Sequence, residues 1–105
     1  MKNNAVYEIA IGRLKEGVSR EDYLNVTVQV ENDLRQMSGF RSRRLLTGTD
    51  GLWIDLVQWD SMDEALKAAE IFPTLPSAQP MEALLDFYSV QMYHMELVFE
   101  DNLSI

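Results

Sequence analysis

One histidine, His94, stands in a chain of 105 residues with no cysteine, so proton transfer near neutral pH has one ready candidate. Asp55 lies between Trp53 and Val57 in the stretch LLTGTDGLWIDLVQWD (residues 45–60), where strand spacing puts it on a face with Trp53 and Trp59. A carboxylate on such a face is costly to bury unless it is paired, so Asp55 either closes an ion pair with an arginine or serves a ligand. With His94 as general base, Asp55 or Glu8 as its orienting carboxylate, and Trp53 and Trp59 as aromatic walls, the chemistry is deprotonation of a small aromatic or quinone-like molecule. Each residue also has a structural reading. His94 can sit satisfied at a strand or dimer edge, the tryptophans can be core or interface, and Glu8 can be salt-bridged. Strand parity leaves open whether Tyr93 or His94 points into a pocket. One histidine and scattered carboxylates have no ligand spacing for a metal, so no metal site is expected.

Composition narrows the classes. Forty-seven percent apolar and 25% charged residues describe a globular chain, and 105 residues suffice for one domain. A net charge of −8 argues against a nucleic-acid backbone as partner. Absence of cysteine excludes disulfides and thiolate chemistry. No apolar run reaches the roughly 20 residues of a membrane span. Charged residues Glu8, Arg13, Lys15 and Glu16 interrupt the N-terminal segment where a signal peptide needs an apolar block, so the expected location is the cytoplasm. Arg41, Arg43 and Arg44 suit a charged edge strand, with Arg44 alone on its face as a possible anion contact.

The elements that must position these groups follow from periodicity. Residues 6–11 alternate as a strand, with Tyr7, Ile9 and Ile11 expected under helices and Val6, Glu8 and Ala10 facing solvent or a polar cavity. Ser19 and Asp22 resemble a capping box ahead of a helix with the stripe Tyr23, Val26, Thr27, Val30, Leu34 and Met37, stopped at Gly39. Strands over 40–46 and 52–59 flank an Asp50-Gly51 hairpin turn. Ser61 and Glu64 form a capping box for a second helix that ends at Pro73. Pro80 opens a short helix to Leu85, a long strand covers 87–99, and an acidic, mobile tail follows from Glu100. The order β-α-β-β-α-β makes the fold class α+β, ferredoxin-like, with a four-stranded antiparallel sheet. Trp53, Val57, Trp59 and Val6 are expected on the face that the helices leave bare, where a second copy covers them in a homodimer.

Gly39-Phe40, Gly51-Leu-Trp-Ile-Asp-Leu-Val-Gln-Trp59, the helix from Ser61 to Ala69, Leu75-Pro76, Met81-Glu-Ala-Leu-Leu-Asp86 and Ser89-Val-Gln-Met-Tyr-His94 carry a family resemblance along nearly the whole chain. In these segments it resembles the dimeric α/β-barrel superfamily, and within it the antibiotic-biosynthesis-monooxygenase-like proteins. The resemblance implies a homodimer whose two sheets form a barrel, with a cavity between each sheet and its helices or within the barrel. Pigment-oxidising members act on phenolic polyketides with molecular oxygen and neither metal nor flavin, so no cofactor is expected. Their pockets use an asparagine, a tryptophan and an arginine. Trp53 or Trp59 and Arg44 match the last two roles, while the first strand offers Glu8 rather than an asparagine. Haem-degrading relatives carry their iron-binding histidine on a helix, whereas His94 falls in the last strand. The residues leave three functions open: a cofactor-independent oxygenase, a cofactor-free cyclase or isomerase, and a non-catalytic ligand-binding dimer.

Overall fold

The structure is a computed structural model describing residues 5–102. The ends of the N-terminal segment and of the acidic tail considered above (1–4 and 103–105) lie outside the described residues. Strand β1 (Val6–Arg13), helix α1 (Arg20–Arg35), strands β2 (Phe40–Thr47) and β3 (Leu52–Trp59), helices α2 (Met62–Ile71) and α3 (Ala78–Glu82), and strand β4 (Gln91–Glu96) follow in order. The sheet order is β2-β3-β1-β4 with every neighbouring pair antiparallel, the ferredoxin-like arrangement expected from the element order.

Local chemistry explains the boundaries. The Ser19 hydroxyl accepts from the Asp22 N–H and the Asp22 carboxylate accepts from the Ser19 N–H, so the α1 capping box is complete. At α2 only half of one forms. Ser61 Oγ accepts from the Glu64 N–H, but the Glu64 carboxylate takes the hydroxyls of Ser61 and Ser38 and so ties the cap to the end of α1. Gly39, at φ 85°, occupies the left-handed region, and a Cβ there would run into that carboxylate. The β2–β3 turn is held by Arg13, which donates to the Asp50 carbonyl at 2.6 Å and to its carboxylate at 3.3 Å.

The last strand is much shorter than the alternation of 87–99 suggests. Residues Phe87–Ser89 turn tightly, with the Ser89 N–H donating to the Asp86 carbonyl, and pairing with β1 begins only at Gln91. Pro80 lies inside α3 rather than at its first position.

Which face the helices cover is the main correction. Val6, Val57 and Trp59 are buried against Val30 and Leu34 of α1 and Ala65 and Ala68 of α2. The tryptophan face therefore lies under the helices, and Tyr7, Ile9, Ile11, Ile54 and Leu56 form the bare face. Both faces are apolar, so counting apolar residues does not choose between them. The choice falls to crossover handedness: β1-α1-β2 and β3-α2-β4 join parallel strands, and right-handed crossovers put both helices on one side. In this chain that side displays the even-numbered residues of β1.

Candidate functional site

Strand alternation on the helix-covered face gathers four ionisable side chains, one from each strand: Arg43, Glu8 and His94 in one row across the sheet, and Asp55 two residues along β3 from it. They close as two pairs. Arg43 grips Asp55 with two parallel hydrogen bonds, Nε to Oδ1 at 2.9 Å and Nη2 to Oδ2 at 2.7 Å, and its Nη1 donates to the Thr27 carbonyl of α1 at 3.2 Å. This arginine side chain is 3% exposed and its carboxylate partner 18%. Burial works against the Arg43 charge, but the hydrogen bonds and charge of Asp55 outweigh it and raise the pKa further. Asp55 is thus the ion-paired carboxylate that its position allowed, and its partner is Arg43.

The second pair joins β1 to the edge strand β4. His94 Nε2 lies 2.9 Å from Glu8 Oε2, with both side chains mostly buried. Burial raises the Glu8 pKa, against the hydrogen bond and charge of His94, and the nearby Asp55 carboxylate adds to the rise. Of the two carboxylates considered as orienting partner for His94, Glu8 has the contact. Asp55 is committed to Arg43 across the sheet. The expected His94–Asp55 dyad is not formed, because Glu8 sits directly opposite His94 in the ladder whereas Asp55 is a strand further away.

Between this face and the helices lies a cavity of about 40 Å³, lined among others by Trp53, Tyr23, Asp55, Met81, Leu85 and Val90. Trp53 and Tyr23 meet edge to face with centroids 5.0 Å apart. Tyr23 is a lining residue that sequence reasoning took only as part of the α1 stripe. Burial, then the Asp55 carboxylate, push its hydroxyl up to about 12 against the pull of Arg43, so it stays protonated at neutral pH. The cavity wall therefore offers an aromatic edge and face, a carboxylate and a phenol beside apolar side chains.

The remaining expected site residues go elsewhere. Trp59 has no exposed surface and packs edge to face on Phe40 at 5.8 Å, a core residue rather than a cavity wall, with its buried Nε1 lacking a hydrogen-bond partner. Arg44 and Tyr93 share the bare face, opposite Leu56 and Ile9 respectively. That answers the parity question: His94 points to the helix side and Tyr93 away from it. The arginine beside the cavity carboxylate is Arg43, which charge clustering singled out only as part of an edge strand. Its signal was a place on the same face as Asp55, one diagonal step away across the ladder, visible once the hairpin is closed. Among the described residues no group of three or more His, Asp or Glu side chains is placed to hold a metal ion.

No family model matches the sequence, and no curated protein does. Solved structures do match in shape. SnoaB from Streptomyces nogalater, a cofactor-independent oxygenase, superposes with a TM-score of 0.69 at 17% identity, over 95% of this chain and 97% of its own. A Nitrosomonas europaea protein bearing the antibiotic biosynthesis monooxygenase name gives 0.71 at 7% identity over 97% and 98%. Rv0793 from Mycobacterium tuberculosis gives 0.65 at 18% over 93% and 99%. Identities this low speak for fold alone. The chain shares the ferredoxin-like fold of these proteins.

Proposed function

We propose that this chain is a cofactor-independent monooxygenase acting on a small aromatic or quinone-like molecule bound against Trp53 and Tyr23. The observation that carries the reading is the lining of the cavity: an aromatic pair, a protonated phenol and a carboxylate among apolar side chains. The fold shared with a cofactor-independent oxygenase supports it. His94 is not among the residues lining the cavity, so the role of base passes to Asp55, with Arg43 holding its carboxylate in place.

In this reaction the phenolic proton of an anthrone-like substrate passes to Asp55. The phenolate gives one electron to molecular oxygen, the resulting radicals combine to a peroxide anion at the ring carbon, and Asp55 returns its proton to make the hydroperoxide. Loss of water, which carries off the second oxygen atom and the remaining hydrogen of that carbon, leaves a carbonyl. One CH₂ and one O₂ thus become one C=O and one H₂O. The neutral Tyr23 hydroxyl donates to the substrate oxygen as charge develops there.

A fused aromatic ring system of this kind needs a cavity on the order of 300 Å³ or more. Binding therefore requires Met81 and Leu85, on and just after the short helix α3, to swing outward. We further propose a cytoplasmic homodimer, with the bare face of Tyr7, Ile9, Ile11, Ile54 and Leu56 covered by a second copy.

The test is oxygen consumption with a panel of anthrones and hydroquinones. Uptake should match product one to one and should be lost in Asp55→Asn and Trp53→Ala. Turnover without oxygen uptake would assign a cyclase or isomerase instead, and tight binding without turnover a binding module.

A further inference from the structure

A second depression lies outside the sheet–helix cavity, along the free edge of β2. It measures about 520 Å³ and is lined by Glu31, Arg35, Phe40, Arg41, Ser42 and Arg43. Three of the nine basic residues of a chain carrying net charge −8 line this one groove, each with a carboxylate in reach: Glu31 for Arg35, Asp60 for Arg41 and Asp55 for Arg43. A concavity that gathers guanidinium groups offers an anion planar donors, provided their present partners are held weakly enough to yield.

The construction of the edge supports this. β2 ends the sheet order, so no further strand pairs with its outer side among the described residues. The register slips between Phe40 and Ser42, which makes Arg41 the extra residue of a bulge. Bulges redirect a side chain at a sheet edge, and this one sends Arg41 to the surface. There it meets Asp60 at 3.1 Å, with 56% of its side chain exposed. Across the groove, Arg35 in the last turn of α1 is 65% exposed and touches Glu31 only loosely, at 3.9 Å. Exposed pairs of this kind hold their partners weakly, and a better-placed anion displaces them. Arg43 is buried and committed to Asp55, so it sets the floor, and Phe40 offers an apolar edge beside it.

We propose that this groove binds a small organic anion, a carboxylate or a phosphate ester, between the guanidinium groups of Arg35 and Arg41. Planar donors on both sides favour two-pronged contacts to such a group. The site is separate from the aromatic cavity and does not depend on the chemistry assigned there.

The experiment is a titration of the full-length ¹⁵N-labelled chain with inorganic phosphate, benzoate and acetate at constant ionic strength, for the parent and the Arg35→Gln/Arg41→Gln double variant. Saturable amide shifts confined to residues 31–43, weakened about tenfold or more in the variant, are expected. Tighter binding of benzoate than acetate would assign an aryl carboxylate, and a preference for phosphate would assign a phosphate ester. Shifts that do not saturate, that spread over the surface, or that persist in the double variant overturn the proposal. Both substitutions lie at exposed side chains, so the variant should keep the parent's amide dispersion.

Discussion

At the scale of single residues, the helix-covered face joins two pairs of ionisable side chains of different character. Arg43–Asp55 is closed, bidentate and almost dry, so removing one member strands a buried charge. Arg43→Ala should destabilise the chain by about 3–5 kcal/mol, and the double exchange Arg43→Met/Asp55→Leu should recover most of it, both measured by urea unfolding. Glu8–His94 is a single contact, and burial raises the pKa of its carboxylate. Because burial raises the Glu8 pKa above 4.5, its contribution to stability is complete below that value and is lost as pH rises through the folded value. His94→Ala removes the one partner that offsets the buried carboxylate. It should therefore cost about 1–3 kcal/mol near neutral pH, with the deficit shrinking as the solution is acidified through the Glu8 range. Glu8→Gln in the same background should restore the loss. A deficit that is the same at every pH would show that His94 acts through packing alone.

At the scale of elements, three short devices set where the strands lie. The Asp50-Gly51 turn with its Arg13 clamp closes the hairpin, and the hairpin in turn sets Arg43 diagonal to Asp55 on one face. The Glu64 carboxylate, gathering Ser38 and Ser61, fixes the exit of α1 against the entry of α2. Those two hydroxyls hold its pKa below the usual carboxylate value. Gly39→Ala forces a side chain into the left-handed region and against Glu64. A loss of roughly 1–2 kcal/mol is expected from the backbone alone. A thermal melt of this variant beside Gly17→Ala separates the two effects. Gly17 shares the positive φ but has nothing near its Cβ, so it should lose less.

At the scale of the whole molecule, the bare face decides behaviour in solution. Ile9 and Leu56 lie paired at its centre, and Leu46, Tyr93 and Met95 extend it with exposures of 49%, 44% and 55%. A lysine at the centre of such a surface would be buried by a partner and left without a counter-charge. Ile9→Lys should therefore convert the proposed dimer to monomer in sedimentation equilibrium while leaving the circular dichroism of the fold intact. A parent chain that sediments as a monomer at micromolar concentration would remove the dimer.

Strand and helix positions were legible because they rest on spacing alone. The α1 stripe, the Asp-Gly turn and the two serine starts need no knowledge of the rest of the chain, and the element order follows from them. The α2 box was half misjudged because Glu64 has a competing donor, Ser38, 26 residues away. The final strand was overextended for a similar reason. Alternation continues through Phe87 and Tyr88, but a strand needs a neighbour, and β1 supplies one for β4 only from Gln91.

The site shows the same division. From the types of residue alone came the lone histidine, the carboxylate between apolar neighbours and the aromatic wall at Trp53. Which carboxylate meets His94, which arginine meets Asp55, and which tryptophan lines the cavity are questions of register and of face. Register comes from the hairpin and from β1 lying between β3 and β4. The covered face comes from the handedness of the crossovers. Neither is written in the local pattern of a strand whose two sides are both apolar, so only the assembled sheet separates Glu8 from Asp55, Arg43 from Arg44, and Trp53 from Trp59.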